Sequence, residues 1–307
     1  MKNPAILLSL LFANLIFGNK IDKLKTTKDV VKFVKTVHPE YGVVQYKNFA
    51  RGVFDIKPID TVYNSIRCKE AFAVSEIKSW QKIDINNDGL TDLIFISHYY
   101  GYTQNIIIDK GRNKFNLIRN IVNFDECEYI KPIRVENKNE LLVRNVSLPF
   151  DIFPSDKVEN YIKKDTLTYR FDALIERNSK PSDGKIKSVT LKTNLCYGIC
   201  PVYTLTVNKS GLLEFNGIEQ IEFKGRSTKQ LNPKDVGELF DLMNYIKIRD
   251  LKDYYEVNYT DAETLNLTVH FEDGSVKNIK DYGTTGTRGL SALYAKLKRL
   301  ATETQWK

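Results

Sequence analysis

Apolar positions change their spacing repeatedly along the chain. From Ala5 to Phe17 they run on almost unbroken, interrupted only by Ser9 and Asn14. Over 26–37 the spacing becomes helical: Val30, Val34 and Val37 share one face, with Phe33 beside them. Thr26 followed three residues later by Asp29 has the pattern of a capping box, and Pro39 ends the helix. From Gly42 the pattern shortens to strand-like runs at 43–46, 53–56, 77–83, 93–97, 104–108, 114–118, 129–135, 140–146 and 166–175. Turn residues separate them, among them Asn87-Asp88-Gly89, Lys110-Gly111 and Asn137-Lys138-Asn139. Strands joined this closely pair as antiparallel meanders.

The polar stretch 177–184 (RNSKPSDG) reads as a linker. Beyond it, 187–193, 202–207 and 212–215 are strand-like, with Lys209-Ser210-Gly211 as a hairpin turn. Pro233 opens a helix to Tyr245, in which Val236, Leu239, Phe240 and Met243 follow the spacing of a buried face. A hairpin over 264–271 and 275–281 turns at Glu272-Asp273-Gly274. Leu290, Leu293, Leu297 and Leu300 stripe a last helix, a pattern of core packing and too short for a zipper. The predicted class is α+β: a β-rich N-terminal antiparallel domain, then an antiparallel sheet packed with two helices. The predicted divisions are a signal peptide at 1–19, the β-rich domain at 20–176, the linker at 177–184 and the α+β domain at 185–307. No long-period repeat is present.

Charge and cysteine content place the chain in a compartment. The first apolar run follows Lys2, is too short to span a bilayer, and ends at Gly18 and Asn19, where a signal peptidase would cut. The expectation is export to the periplasm or beyond the cell, with no transmembrane segment in the mature chain. The first cysteine is Cys68, so no lipid anchor is expected at the cleavage point. The 307 residues carry a formal charge of +8; loss of Lys2 leaves 45 basic against 38 acidic side chains, or +7. Basic residues are interleaved with acidic ones, which argues against a nucleic-acid surface. Four cysteines in an oxidising compartment imply two disulfides and allow three pairings. Pairing within domains gives Cys68 with Cys127 and Cys196 with Cys200, so that each domain folds independently.

One loop has the chemistry of a cation site. Asp84, Asn86, Asp88 and Asp92 stand at positions 1, 3, 5 and 9, Gly89 at position 6 permits the tight turn, and the carbonyl of Leu90 adds a donor. Three carboxylates and an amide suit Ca²⁺ better than Mg²⁺. Position 12 is Phe95 where an EF-hand would carry Glu, and the flanks are strand-like. The loop resembles the DxNxDGxxD loops of integrin-type propeller repeats, over about a dozen residues and once only. That resemblance implies a structural Ca²⁺.

A second motif is LCYGICPVY at 195–203. Cys196, Tyr197, Gly198, Cys200, Pro201 and Tyr203 resemble the Cys-Tyr-Gly-x-Cys-Pro-x-Tyr hallmark of an uncharacterised domain family of bacterial exported proteins. The surrounding order fits over about 185–302: a strand pair, a helix, Asp261 before a hairpin, and a C-terminal helix. The family carries no assigned activity. The Cys196–Cys200 pair reads as a structural disulfide pinning a turn. Its spacing is not that of thioredoxin-like dithiols, no Lys, Arg or His lies within 195–203 to lower a thiol pKa, and His270 is the one histidine in the domain.

No catalytic string accompanies these motifs: no P-loop, G-x-S-x-G, H-E-x-x-H or G-x-G-x-x-G. His38, His98 and His270 neighbour no nucleophile motif. The stretch 283–289 (GTTGTRG) precedes a helix but lacks the P-loop lysine, and reads as a connector. The sequence therefore points to an exported, non-enzymatic binding protein with a structural Ca²⁺, whose partner is a protein or a cell-envelope ligand. The rival reading is a thiol-redox or hydrolytic enzyme with carboxylates outside any local motif.

Overall fold

The computed structural model describes residues 19–39, 45–46, 49–50, 77–98, 102–123, 127–146 and 162–307. Residues 1–18 of the expected signal, the strand expected at 53–56, and Cys68 lie outside them. The chain divides into two compact units. One comprises Met1–Asn139 and Val143–Lys164, the other Glu140–Leu142 and Asp165–Lys307. Among the described residues no helix is long and apolar enough to cross a membrane.

The first unit opens with α1 (Thr27–Val37). Its capping box is formed: the Thr26 hydroxyl accepts from the Asp29 amide, and the Asp29 carboxylate accepts from the Thr26 amide. Two short strands, β1 (Gln45–Tyr46) and β2 (Phe49–Ala50), pair with each other. A four-stranded antiparallel sheet then runs in chain order through β3 (Trp80–Ile83), β4 (Asp92–His98), β5 (Tyr102–Asp109) and β6 (Phe115–Asn123). Val30, Phe33 and Val34 of α1 pack with Ile21 against Leu93, Phe95 and Ile107 of this sheet, and Phe33 meets Phe115 edge-on at 5.2 Å. A hairpin follows, β7 (Glu128–Val135) and β8 (Lys138–Val146), turning on Glu136 and Asn137 with positive φ.

The second unit begins with a hairpin of β9 (Ile162–Arg170) and β10 (Ala173–Glu176). One continuous strand was expected over 166–175. The chain instead reverses at Phe171 and Asp172, both at positive φ without a glycine to signal it. The main sheet comprises β11 (Ile186–Thr193), β12 (Val202–Asn208), β13 (Leu212–Glu219), β14 (Gly225–Gln230), β15 (Tyr254–Glu256), β16 (Thr264–Phe271) and β17 (Val276–Tyr282). Their spatial order is β14-β13-β12-β11-β16-β17-β15. All pairs are antiparallel except β15 with β17. Helices α2 (Pro233–Tyr245) and α3 (Arg288–Glu303) share one core with Leu191, Leu205, Leu267 and the other inward residues of the sheet. A 3₁₀ turn, Ile248–Asp250, follows α2. On the opposite face Thr190 bonds Thr206 across strands, and Thr268 bonds Asn278. The α+β class read from the sequence is the class observed.

The stretch set aside as a linker is bonded to the second unit. The Asn178 amide donates to the Tyr245 hydroxyl, and Ser182 donates through both its amide and its hydroxyl to the Asn244 carbonyl. Near the chain's end, Trp306 stacks on Phe215 of β13 with ring centroids 4.5 Å apart.

Candidate functional site

The Cys-Tyr-Gly motif forms the loop between β11 and β12, and its neck is built before its tip. At the neck the Thr193 hydroxyl donates to the Pro201 carbonyl at 2.6 Å and accepts from the Tyr203 amide at 3.0 Å. One side chain thus stands in for a rung of the ladder where the strands part. The Asn194 amide donates to the Thr264 carbonyl on the neighbouring strand. Beyond the neck, Cys196 and Cys200 are bonded, with Cα atoms 5.7 Å apart. Within 195–200 the backbone makes one turn bond, from the Gly198 amide to the Cys196 carbonyl. Tyr197 and Ile199 project outward, 88% and 91% exposed, and Leu195 is also exposed.

Tyr203, the last residue of the motif, turns the other way. It is buried beside Phe215, with ring centroids 5.7 Å apart. Burial, and then the nearby Glu263 carboxylate, push its phenol well above the ordinary tyrosine range. Among the described residues its hydroxyl has no hydrogen-bond partner. Pro201 accepts at the neck, so the hallmark divides into a displayed half at Tyr197 and an anchoring half at Pro201 and Tyr203.

Register places further loops at this end of the sheet. Thr193 faces Leu265, Val202 faces Glu219, and Thr264 faces Tyr282. The connections 194–201, 220–224, 257–263 and 283–287 therefore gather there, bringing exposed Tyr259 and Ile218 to the same end. The 283–289 stretch is a connector in which five of the seven amides are already bonded, the Gly283 amide to the Glu263 carbonyl among them. Buried Asp281 accepts from the Thr285 and Gly286 amides, Glu176 accepts from the Arg288 and Gly289 amides at 2.6 and 2.8 Å, and the Thr287 hydroxyl caps Leu290. Burial raises the Asp281 carboxyl above its ordinary range. Neither Thr193 nor Glu176 was singled out from the sequence. Thr193 looks like any strand threonine, and Glu176 lies more than a hundred residues from the helix it caps.

Residues expected to hold Ca²⁺ form a tight loop in the first unit. Asn87 and Gly89 have positive φ. The Asp84 carboxylate accepts from the Asp88 and Gly89 amides, and Asp88 accepts from the Leu90 amide and the Asn86 side chain. Asp92 is fully buried and accepts from the Ile85 and Asp109 amides, both at 2.8 Å. Asn87 and Asn139 exchange two side-chain-to-backbone bonds, and the Asn139 side chain also donates to the Asp84 carbonyl. Among the described residues no three His, Cys, Asp or Glu side chains gather around one point as a metal site. Charge there is nonetheless unbalanced. Burial raises Asp92 to about 7 against its backbone bonds, and Asp88 pushes it further. Burial also raises Asp109, with added pressure from Asp88 and Asp22.

Cys127 is disulfide-bonded, and Cys68, its expected partner, lies outside the described residues. His270 lies exposed on the open face of the sheet, on β16.

Residues 187–301 match DUF6438, a domain of unknown function. The DUF6438 match runs from β11 to the last turn of α3, so it takes in the Cys loop, the whole sheet and both helices. No curated protein and no solved structure matches the chain.

Proposed function

We propose that this is an exported recognition protein whose DUF6438 domain binds its partner through the apolar tip at Tyr197 and Ile199. The carrying observation is the display itself: two large side chains stand almost wholly in solvent on a loop closed by a disulfide. Exposing them is unfavourable in the free protein, and seating them in a pocket of a partner protein or envelope ligand recovers that area. The pinned loop loses little conformational freedom on binding, which favours affinity. No nucleic acid is implied. The apolar run at 5–17 supports export, and Ile21, just beyond the expected signal, is fully buried in the first unit.

Calcium enters as a structural ligand of the first unit, held by Asp84, Asn86, Asp88, the Leu90 carbonyl and Asp92. Support comes from burial, which raises the Asp92 and Asp109 carboxyls, and from the Asp88 charge that adds to it, with no cationic side chain paired to Asp88, Asp92 or Asp109 among the described residues. A bound divalent cation would relieve that repulsion.

The test of the reading is a Tyr197→Ser/Ile199→Ser double variant. Its melting temperature should match the wild type, because neither side chain is packed. Its co-sedimentation with the envelope fraction of the native host should be lost. Equal retention of wild type and variant would remove the tip from the contact.

A further inference from the structure

Residues 195–200 contribute nothing to the core of the second unit, and the disulfide is the tie that gives them a shape. The neck below is closed without it, through Thr193, Pro201, Tyr203 and the Asn194–Thr264 bond. Strand pairing resumes at Lys192 with Thr204. A bond that closes so short a loop restricts the unfolded chain little, so its loss leaves the fold standing while the tip loses its form. Neither half-cystine is buried. The absence of Lys, Arg or His from 195–203 argues against a low-pKa attacking thiol, as in an oxidoreductase. It does not protect the sulfurs from attack by another thiolate.

We propose that Cys196–Cys200 is an exchangeable catch on the apolar tip, opened by a dithiol and closed by a small-molecule disulfide through the reverse exchange, which sets whether Tyr197 and Ile199 are displayed. A thiolate of the dithiol attacks one cysteine sulfur. The other cysteine leaves as a thiolate and takes up a proton. The second thiol of the reagent then displaces the mixed disulfide. The pair gains two electrons and two protons, and the dithiol ends as a disulfide. The catch regulates the contact site and so rests on the recognition reading. Its test involves no partner, so the two fail separately.

The experiment treats the folded full chain with dithiothreitol at mildly alkaline pH, quenches by alkylation, and maps peptides by mass spectrometry alongside hydrogen exchange. Cys196 and Cys200 should be alkylated while Cys127 stays bonded. The melting temperature should fall by only a few degrees. Faster hydrogen exchange should be confined to 194–201 and should reverse on reoxidation. Protection of both cysteines until global unfolding would overturn the proposal. So would unchanged exchange in 194–201 after reduction, or unfolding of the whole second unit. A Cys196→Ser/Cys200→Ser variant, expected to show the reduced exchange pattern without reagent, separates loss of the bond from any effect of the reductant.

Discussion

The Thr193 hydroxyl occupies the point where two strands separate, and both backbone groups it serves are at the edge of the core. Replacement by valine keeps shape and volume but leaves the Pro201 carbonyl and the Tyr203 amide without their partner. Thr193→Val should cost about 1–3 kcal/mol, read as a lower denaturant midpoint at unchanged slope. Tyr203 makes the opposite case. Its ring is buried and its hydroxyl has no partner among the described residues, so Tyr203→Phe should hold or raise stability, within about 1 kcal/mol. Tyr203→Ala should lose about 3–5 kcal/mol through the cavity it leaves beside Phe215. A large loss in the phenylalanine variant would mean that the hydroxyl has a partner, such as an ordered water. Neither role could be read from residue type. A threonine that bonds across a neck and one that faces solvent are the same letter in the same alternation.

At the scale of elements, α3 starts where one carboxylate from a distant strand meets its first two amides. Glu176, on β10, accepts from both the Arg288 and Gly289 amides. A glutamine there keeps one carbonyl acceptor and turns its amide NH2, a donor, toward the other N–H. Glu176→Gln should therefore destabilise the second unit by about 1–3 kcal/mol, measurable by chemical denaturation. The helices themselves were legible because burial on one face leaves a 3.6-residue signature, as Val236, Leu239, Phe240 and Met243 show. The inner strands were legible for the matching reason at period two. The strands that escaped notice are those that bury little. β14 (GRSTKQ) is an edge strand exposed along almost its whole length, and β15 has three residues. The turn at Phe171 and Asp172 escaped because its backbone demand is met by residues that do not announce it. The acidic loop was legible as a loop. Its locking by Asn87 and Asn139 was not, since that pairing spans fifty-two residues.

For the molecule as a whole, the two units should respond to different variables. Asp92, raised by burial to about 7, has a folded-state value above its unfolded one. The folded state then binds a proton that the unfolded state releases, so stability is lost as pH rises from about 4 to about 7. Ca²⁺ should remove this slope and raise the melting temperature at neutral pH. A hundredfold excess over the dissociation constant is worth about 2.7 kcal/mol. Asp84→Ala or Asp88→Ala should abolish the calcium shift, and Asp273→Ala, in a turn of the second unit, should leave it intact. Identical melting curves with chelator and with Ca²⁺ would reduce the loop to a turn.

The chain holds two tryptophans, and the fold gives one to each unit. Trp80 packs at the edge of the first core and donates to the Thr27 hydroxyl, while Trp306 lies flat on Phe215 in the second. Emission from this protein is therefore a sum of two local reports. Trp80→Phe leaves a chain that glows only with the state of the second unit's sheet, and Trp306→Phe one that follows only the acidic-loop unit. Calcium should then be seen by one lamp and dithiothreitol by neither, since the tip it loosens touches no indole.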